Sequence, residues 1–190
     1  MQSFPPNPPP HLTFVGPDAH GTIYIQNAQG FLTPLFALTT SKSKPNLSVH
    51  RILPSGQHHP FFTSSTSSLS GTSAINLHNN PPIEMKISYE AVHVARQFDG
   101  PMGKLRWFYA GAMGSDLKLK DENGVVLARY RMKAGGGGGK ESRLEICVPC
   151  DDGMVDKIVA TGLVVYQDVV KENKQGKVVG KVVLEMLGAA

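Results

Sequence analysis

The clearest signal in the chain is an alternation of apolar and polar positions with a period of two. Ile83, Met85, Ile87 and Tyr89 alternate with Glu84, Lys86, Ser88 and Glu90, which places four apolar side chains on one face of a strand. Leu105, Trp107 and Tyr109 alternate with Lys104 and Arg106, with Phe108 interrupting the polar side. Leu117 and Leu119 alternate with Asp116, Lys118 and Lys120. The turn Asp121-Glu122-Asn123-Gly124 tolerates positive φ, and Val125 to Met132 returns as the partner strand. Leu144, Ile146 and Val148 form one more alternating run. Upstream, shorter β-branched or aromatic runs lie near 12–15, 22–25, 34–38, 47–52, 59–63 and 74–78, separated by Gly, Pro and Asn. Together they predict roughly ten to twelve short strands, spaced as in a sandwich or barrel.

One segment follows a different period. Between Asp152 and Lys174, Met154, Val155, Ile158, Val159, Leu163, Tyr166, Val169 and Val170 recur at helical spacing. Asp151 or Asp152 can cap its start, and Asp156 suits the early turns. Lys171 and Lys174 suit its end, and Gly176 can terminate it. The centre, Ile158-Val-Ala-Thr-Gly-Leu-Val-Val-Tyr166, carries no charge on any side. A helix apolar all round must be enclosed by protein or lipid. Its many β-branched residues leave a strand as the rival reading. Wrapping the sheet around the helix buries both sets of apolar faces and removes the free sheet edges. The expected fold is therefore mainly β: a closed antiparallel barrel of about twelve short strands around a central hydrophobic C-terminal helix.

Composition adds boundaries. The 190 residues fit one domain. Residues 1–80 hold only four charges (Asp18, Lys42, Lys44 and Arg51), and 12 of the 14 prolines lie at or before Pro82. Residues 1–10 read as a disordered Pro-rich lead and 11–175 as the barrel domain. Within it, 63–73 read as a flexible Ser/Thr/Gly loop, 134–140 as a Gly-rich loop and 152–175 as the central helix. Residues 176–190 read as a C-terminal tail, whose apolar positions in Lys177-Val-Val-Gly-Lys-Val-Val-Leu-Glu-Met-Leu187 suggest a weak amphipathic helix. A net charge of +4 is too small for a dedicated nucleic-acid binder. No run of about twenty apolar residues predicts a membrane-spanning helix. The opening Met1-Gln-Ser-Phe-Pro-Pro lacks the features of a secretory signal, and two cysteines cannot build a disulfide framework. These features point to a cytoplasmic domain, with peripheral contact to the inner membrane surface as a corollary of any lipid binding.

The order Arg96-Gln-Phe-Asp-Gly100, Lys104-Leu-Arg-Trp-Phe108, Leu117-Lys-Leu-Lys-Asp-Glu-Asn-Gly124, Val126-Leu-Ala-Arg-Tyr130, Leu144-Glu-Ile146 and the apolar helix resembles the C-terminal half of tubby-like domains. Gly21-Thr-Ile-Tyr24, Leu35-Phe36 and Leu47-Ser-Val-His-Arg51 sit where that family has its opening strands. The likeness covers approximately 11–170 and is nearest to the small fungal tubby-like proteins. Phospholipid scramblases and the plant LURP-one-related proteins share the general fold. The resemblance implies a twelve-stranded barrel around a hydrophobic helix, and phosphoinositide headgroup binding through basic residues on the barrel exterior. A fold does not by itself carry a function.

The candidate chemistry is sparse. Cys147-Val-Pro-Cys150 is a C-x-x-C directly before the helix, the spacing of a thiol redox pair, but Asp151 and Asp152 oppose thiolate formation and two plain cysteines are the alternative. Zinc would need two further ligands, and His58 and His59 are adjacent in a Pro/Ser-rich stretch, so no metal or cofactor is expected. Ala134 to Glu141 brushes against a phosphate-binding loop but lacks its first glycine and its magnesium-binding hydroxyl. No nucleophile elbow or triad spacing appears, so the expectation is a non-enzymatic protein. Asn46-Leu47-Ser48 matches a glycosylation sequon without a secretory signal to make it relevant. What remains is a basic face. Lys118 and Lys120 share one parity, Arg129, Arg131 and Lys133 share that of the partner strand, and Lys140 and Arg143 follow closely. Such a cluster suits anionic lipid headgroups, with a solvated outer face as the plainer reading. An interaction module using the Pro-rich lead and the tail for protein partners is the second functional class.

Overall fold

A computed structural model describes residues 11–67, 70–78, 80–90, 93–110, 116–132 and 141–186. Its strands are β1 (Leu12–Val15), β2 (Thr22–Gln26), β3 (Leu32–Thr40), β4 (Leu47–Ile52), β5 (His58–Thr66) and β6 (Ser73–Leu77). They continue as β7 (Ile83–Glu90), β8 (His93–Gly100), β9 (Gly103–Ala110), β10 (Asp116–Lys120), β11 (Val126–Arg131) and β12 (Arg143–Ile146), before helix α1 (Asp152–Met186). Each strand pairs antiparallel with the next, and β1 closes on β12 through Leu12↔Ile146 and Phe14↔Leu144. The sheet is thus a closed up-and-down barrel, and closure leaves no free edge. In this meander every turn after an even-numbered strand lies at one mouth. Because α1 follows β12, the helix enters there, which we call the near mouth, and runs toward the far mouth.

The inward parity is the apolar one. Met85, Leu105, Trp107, Leu117, Leu119 and Ile146 have no measurable exposure. The helix meets them with eight consecutive buried residues, 158–165, so it is enclosed by the chain's own strands rather than left to solvent. Gly162 lies against the wall. A Cβ there would stand 3.1 Å from Cζ2 of Trp107, tighter than an ordinary contact, so a larger residue would have to push the indole away from the helix by a few tenths of an ångström. The indole Nε1 donates to Oγ1 of Thr161 at 3.0 Å, which satisfies the polar atom of a fully buried ring. The Asp151 carboxylate caps the helix by accepting from the Met154 N–H at 2.7 Å. In the β10–β11 turn Gly124 takes φ +81°, while Asp121 accepts from the Val125 N–H at 2.8 Å.

Two expectations are corrected. The Ser/Thr/Gly stretch 63–73 is not one flexible loop. Thr63 to Thr66 belong to β5 and pair with β6, and Ser64 and Ser73 are buried. Small hydroxyls can enter a barrel wall when they satisfy one another, as Thr66 and Ser73 do at 3.0 Å. The helix also does not stop at Gly176 but continues to Met186, into the stretch expected to be tail. A glycine inside a helix costs only about 1 kcal/mol, too little to end one by itself. The Pro-rich lead 1–10, the Gly-rich loop 134–140 and residues 187–190 lie outside the described residues.

The helix is also held by two ion pairs that parity alone did not announce. Arg51 on β4 reaches Asp156 at 2.9 Å near the mouth where the helix enters. Deeper, Arg96 on β8 lies 3.1 Å from Asp168, with both side chains nearly inaccessible, and donates to the Gly71 carbonyl at 2.6 Å. Removing one partner of such a pair strands a buried charge. Arg96→Met alone should therefore lower unfolding free energy by about 3–5 kcal/mol. The double variant Arg96→Met, Asp168→Leu should recover most of that loss. Chemical denaturation of the three proteins checks this, and equal losses in the single and double variants would contradict it.

Candidate functional site

The basic face is built by the register of three strands. Lys118 lies opposite Arg129, and Arg129 opposite Glu145. Asp116 lies opposite Arg131, and Arg131 opposite Arg143. The intervening Leu117, Leu119, Ala128, Tyr130, Leu144 and Ile146 fill the core, so the charged parity projects outward. Lys118, Arg129 and Arg131 line one shallow cleft of about 270 Å³, with Asp116 and Leu117 completing its wall. Arg131 is held by Glu145 at 3.3 Å, and Arg143 stands exposed beside it.

The structure does not gather the whole expected set. A register shift between Leu119 and Lys120 sets Lys120 opposite Val126, and its Nζ lies over the Phe108 ring at 5.6 Å. Lys120 therefore flanks the cleft without lining it. Lys133 and Lys140 lie outside the described residues. Among the described residues the outward positions of β10, β11 and β12 present five cations (Lys118, Lys120, Arg129, Arg131, Arg143) against two carboxylates (Asp116, Glu145), or 5 − 2 = +3, and the flanking Asp121, Glu122 and Glu141 dilute that charge.

The cysteine pair lies elsewhere, in the link between β12 and α1. Both thiols are free and partly buried. Burial pushes the Cys147 thiol up, against the opposing pull of Arg129 and Arg131. Burial also pushes Cys150 up, and the Asp151 carboxylate adds to it. With Asp151 as the cap, Cys150 precedes the helix instead of occupying its first turn. These directions are opposite to those of an activated redox thiol. Among the described residues no group of three or more His, Cys, Asp or Glu side chains is placed to hold a metal ion. Among them, too, no helix is long and apolar enough to cross a membrane.

Sequence reasoning does not bring together the residues of the near mouth, Arg51, His59, His78 and Asp156: it weighs His59 only as a zinc ligand and Asp156 only as a helix-start charge. Part of the signal was available, since Arg51 shares the parity of the core residues Leu47 and Val49. Comparison with family models, curated proteins and solved structures returns no match. The likeness to tubby-like domains rests on the residues quoted above.

Thiol reactivity follows from the two shifts. Both cysteines should alkylate slowly at neutral pH, accelerating only above the pH at which an ordinary thiol ionises. Iodoacetamide labelling against pH, read by mass spectrometry, checks this; a rate plateau already reached near neutrality would contradict it.

Proposed function

We propose that this chain is a non-enzymatic, tubby-like barrel that binds anionic lipid headgroups weakly through the exterior of β10, β11 and β12. The observation that carries the reading is the convergence of Lys118, Arg129 and Arg131 on one cleft. Guanidinium groups offer planar paired donors to phosphate oxygens, and a lysine adds a point charge. Each cation near an anionic surface contributes about 1 kcal/mol, so three give weak, salt-sensitive attachment. Asp116 and Glu145 reduce the field and favour a concentrated phosphate over a diffuse negative surface. The same resemblance that suggests the barrel suggests this ligand class.

Vesicle co-sedimentation tests the reading. The protein should pellet with phosphatidylcholine vesicles containing phosphoinositide and stay in solution with phosphatidylcholine alone. Arg129→Glu with Arg131→Glu should abolish pelleting, as should raised salt. Equal, negligible pelleting with both vesicles would remove the proposal.

A protein-interaction role is the second reading, and one observation favours it. The exposed large apolar side chains among the described residues are Phe31, Leu32, Met102 and Val125. All belong to hairpins of the near mouth, β2–β3, β8–β9 and β10–β11. Phe31 is 71% exposed, a costly position for a phenyl ring that meets only water. On this reading Phe31→Ser, Met102→Ser and Val125→Ser together should release a partner retained by the wild-type chain without changing vesicle binding. Retention of every partner by the triple variant would sink it.

A further inference from the structure

The barrel is not filled where the helix enters. Between the first turns of α1 and the wall of β4, β5 and β6 lies a cleft of about 250 Å³. It is lined by Arg51, Leu53, His59, Pro60, Phe61, His78 and Asp156. Three features make it more than a gap.

The first is a pre-aimed guanidinium. Arg51 lies 5.6 Å from the ring centroid of Phe36 and 5.2 Å from that of Phe61, so two aromatic rings fix its position. Only its Nη2 is used, toward Asp156, and the side chain is 43% exposed. A guanidinium has five N–H donors, so most of this one remains directed at solvent in the cleft. The second is the pair of imidazoles. His59 is the register partner of Arg51 across β4 and β5, and His78 follows β6 directly. Neither imidazole has a hydrogen-bond partner among the described residues. His50 and His58 stack on each other at 6.4 Å but belong to the opposite parity. The third is an apolar wall from Leu53, Pro60 and Phe61 beside these donors. Donors on one side and hydrocarbon on the other is the arrangement of a small-ligand site.

We propose that this near-mouth cleft binds a small organic anion, a carboxylate or phosphate monoester bearing a compact apolar group. The anionic head takes the free N–H groups of Arg51, His59 and His78, and the apolar group lies on Leu53, Pro60 and Phe61. Asp156 works against the ligand, since its carboxylate already shares Arg51 and repels a second negative charge. Burial pushes the Asp156 carboxyl up despite Arg51, which marks that carboxylate as incompletely compensated. The site is independent of the basic exterior face, which lies on other strands.

Titration of the full chain with phenyl phosphate, benzoate and neutral benzyl alcohol, followed by residue-resolved NMR, tests the proposal. The two anions should move the signals of Arg51, His59 and His78, and benzyl alcohol should not. His59→Ala with His78→Ala should weaken binding by about tenfold, equivalent to about 1.4 kcal/mol. Asp156→Asn keeps an acceptor for Arg51 but removes the competing charge, so it should tighten binding by about five- to tenfold. The response should persist in the Arg129→Glu, Arg131→Glu protein, which separates this site from the headgroup face. No response in the cleft, an equal response to benzyl alcohol, unchanged affinity in both cleft variants, or loss of response in the exterior variant would each overturn the proposal.

Discussion

A helix without a polar face is the constraint from which the rest of this architecture follows. Residues 158–165 are buried all the way round, so they need an apolar wall on every side. A single open sheet covers one side only. Twelve short strands closed on themselves cover all sides, and the inward parity of each strand supplies the wall. The strands in turn need the helix, because an empty barrel of this circumference would lose the contacts that make a core stable. Each component is therefore the other's solvent.

Apolar packing alone would leave the rod free to slide or rotate, since Val, Ile, Leu and Ala present similar surfaces at many registers. Three polar attachments remove that freedom. Asp156 meets Arg51 on β4, Thr161 meets Trp107 on β9, and Asp168 meets Arg96 on β8. At about 1.5 Å per residue, the outer two lie about 18 Å apart along the axis. At about 100° per residue, Asp156 and Thr161 point roughly 140° apart, and their partners lie on strands nearly opposite in the ring. Thr161 and Asp168 point within about 20° of each other, and their partners Trp107 and Arg96 are register neighbours on adjacent strands. Rotation and translation of the helix are fixed by the same three contacts.

The strands were legible because burial on one side writes a period of two into the sequence. The β8 run was the least legible, since the inward parity that holds Phe98 also holds Arg96. A buried arginine looks like a polar position until its partner is seen 72 residues later in the chain, at Asp168. The Ser/Thr tract misled for the converse reason: small hydroxyl residues can occupy inward positions, as the buried Ser64 and Ser73 do, the latter with its hydroxyl paired to Thr66. The helix terminus misled because a glycine marks a stop only when the chain turns there. The outward cations of β10 to β12 were legible by parity, but the displacement of Lys120 depends on a register shift that no spacing announces. The near mouth was illegible as a site. Its Arg51–Asp156 pair spans 105 residues, and closure of the barrel, not any local motif, brings it beside His59 and His78.

The position of that mouth also explains why polar chemistry gathers there. The helix starts with its capping carboxylate, Asp151, and with Asp152 and Asp156 in its first turns, where unpaired backbone N–H groups favour negative charge. A barrel wall facing such a start needs a cation that tolerates partial burial, and an arginine set against the stacked pair Phe36 and Phe61 meets that need better than a lysine would. Yet a cleft of about 250 Å³ remains between the helix start and this part of the wall, so the guanidinium keeps a face turned to water instead of to protein. The same arginine that orients the rod is thereby left with unused donors, and the enclosure of the helix and the chemistry of the opening rest on one side chain.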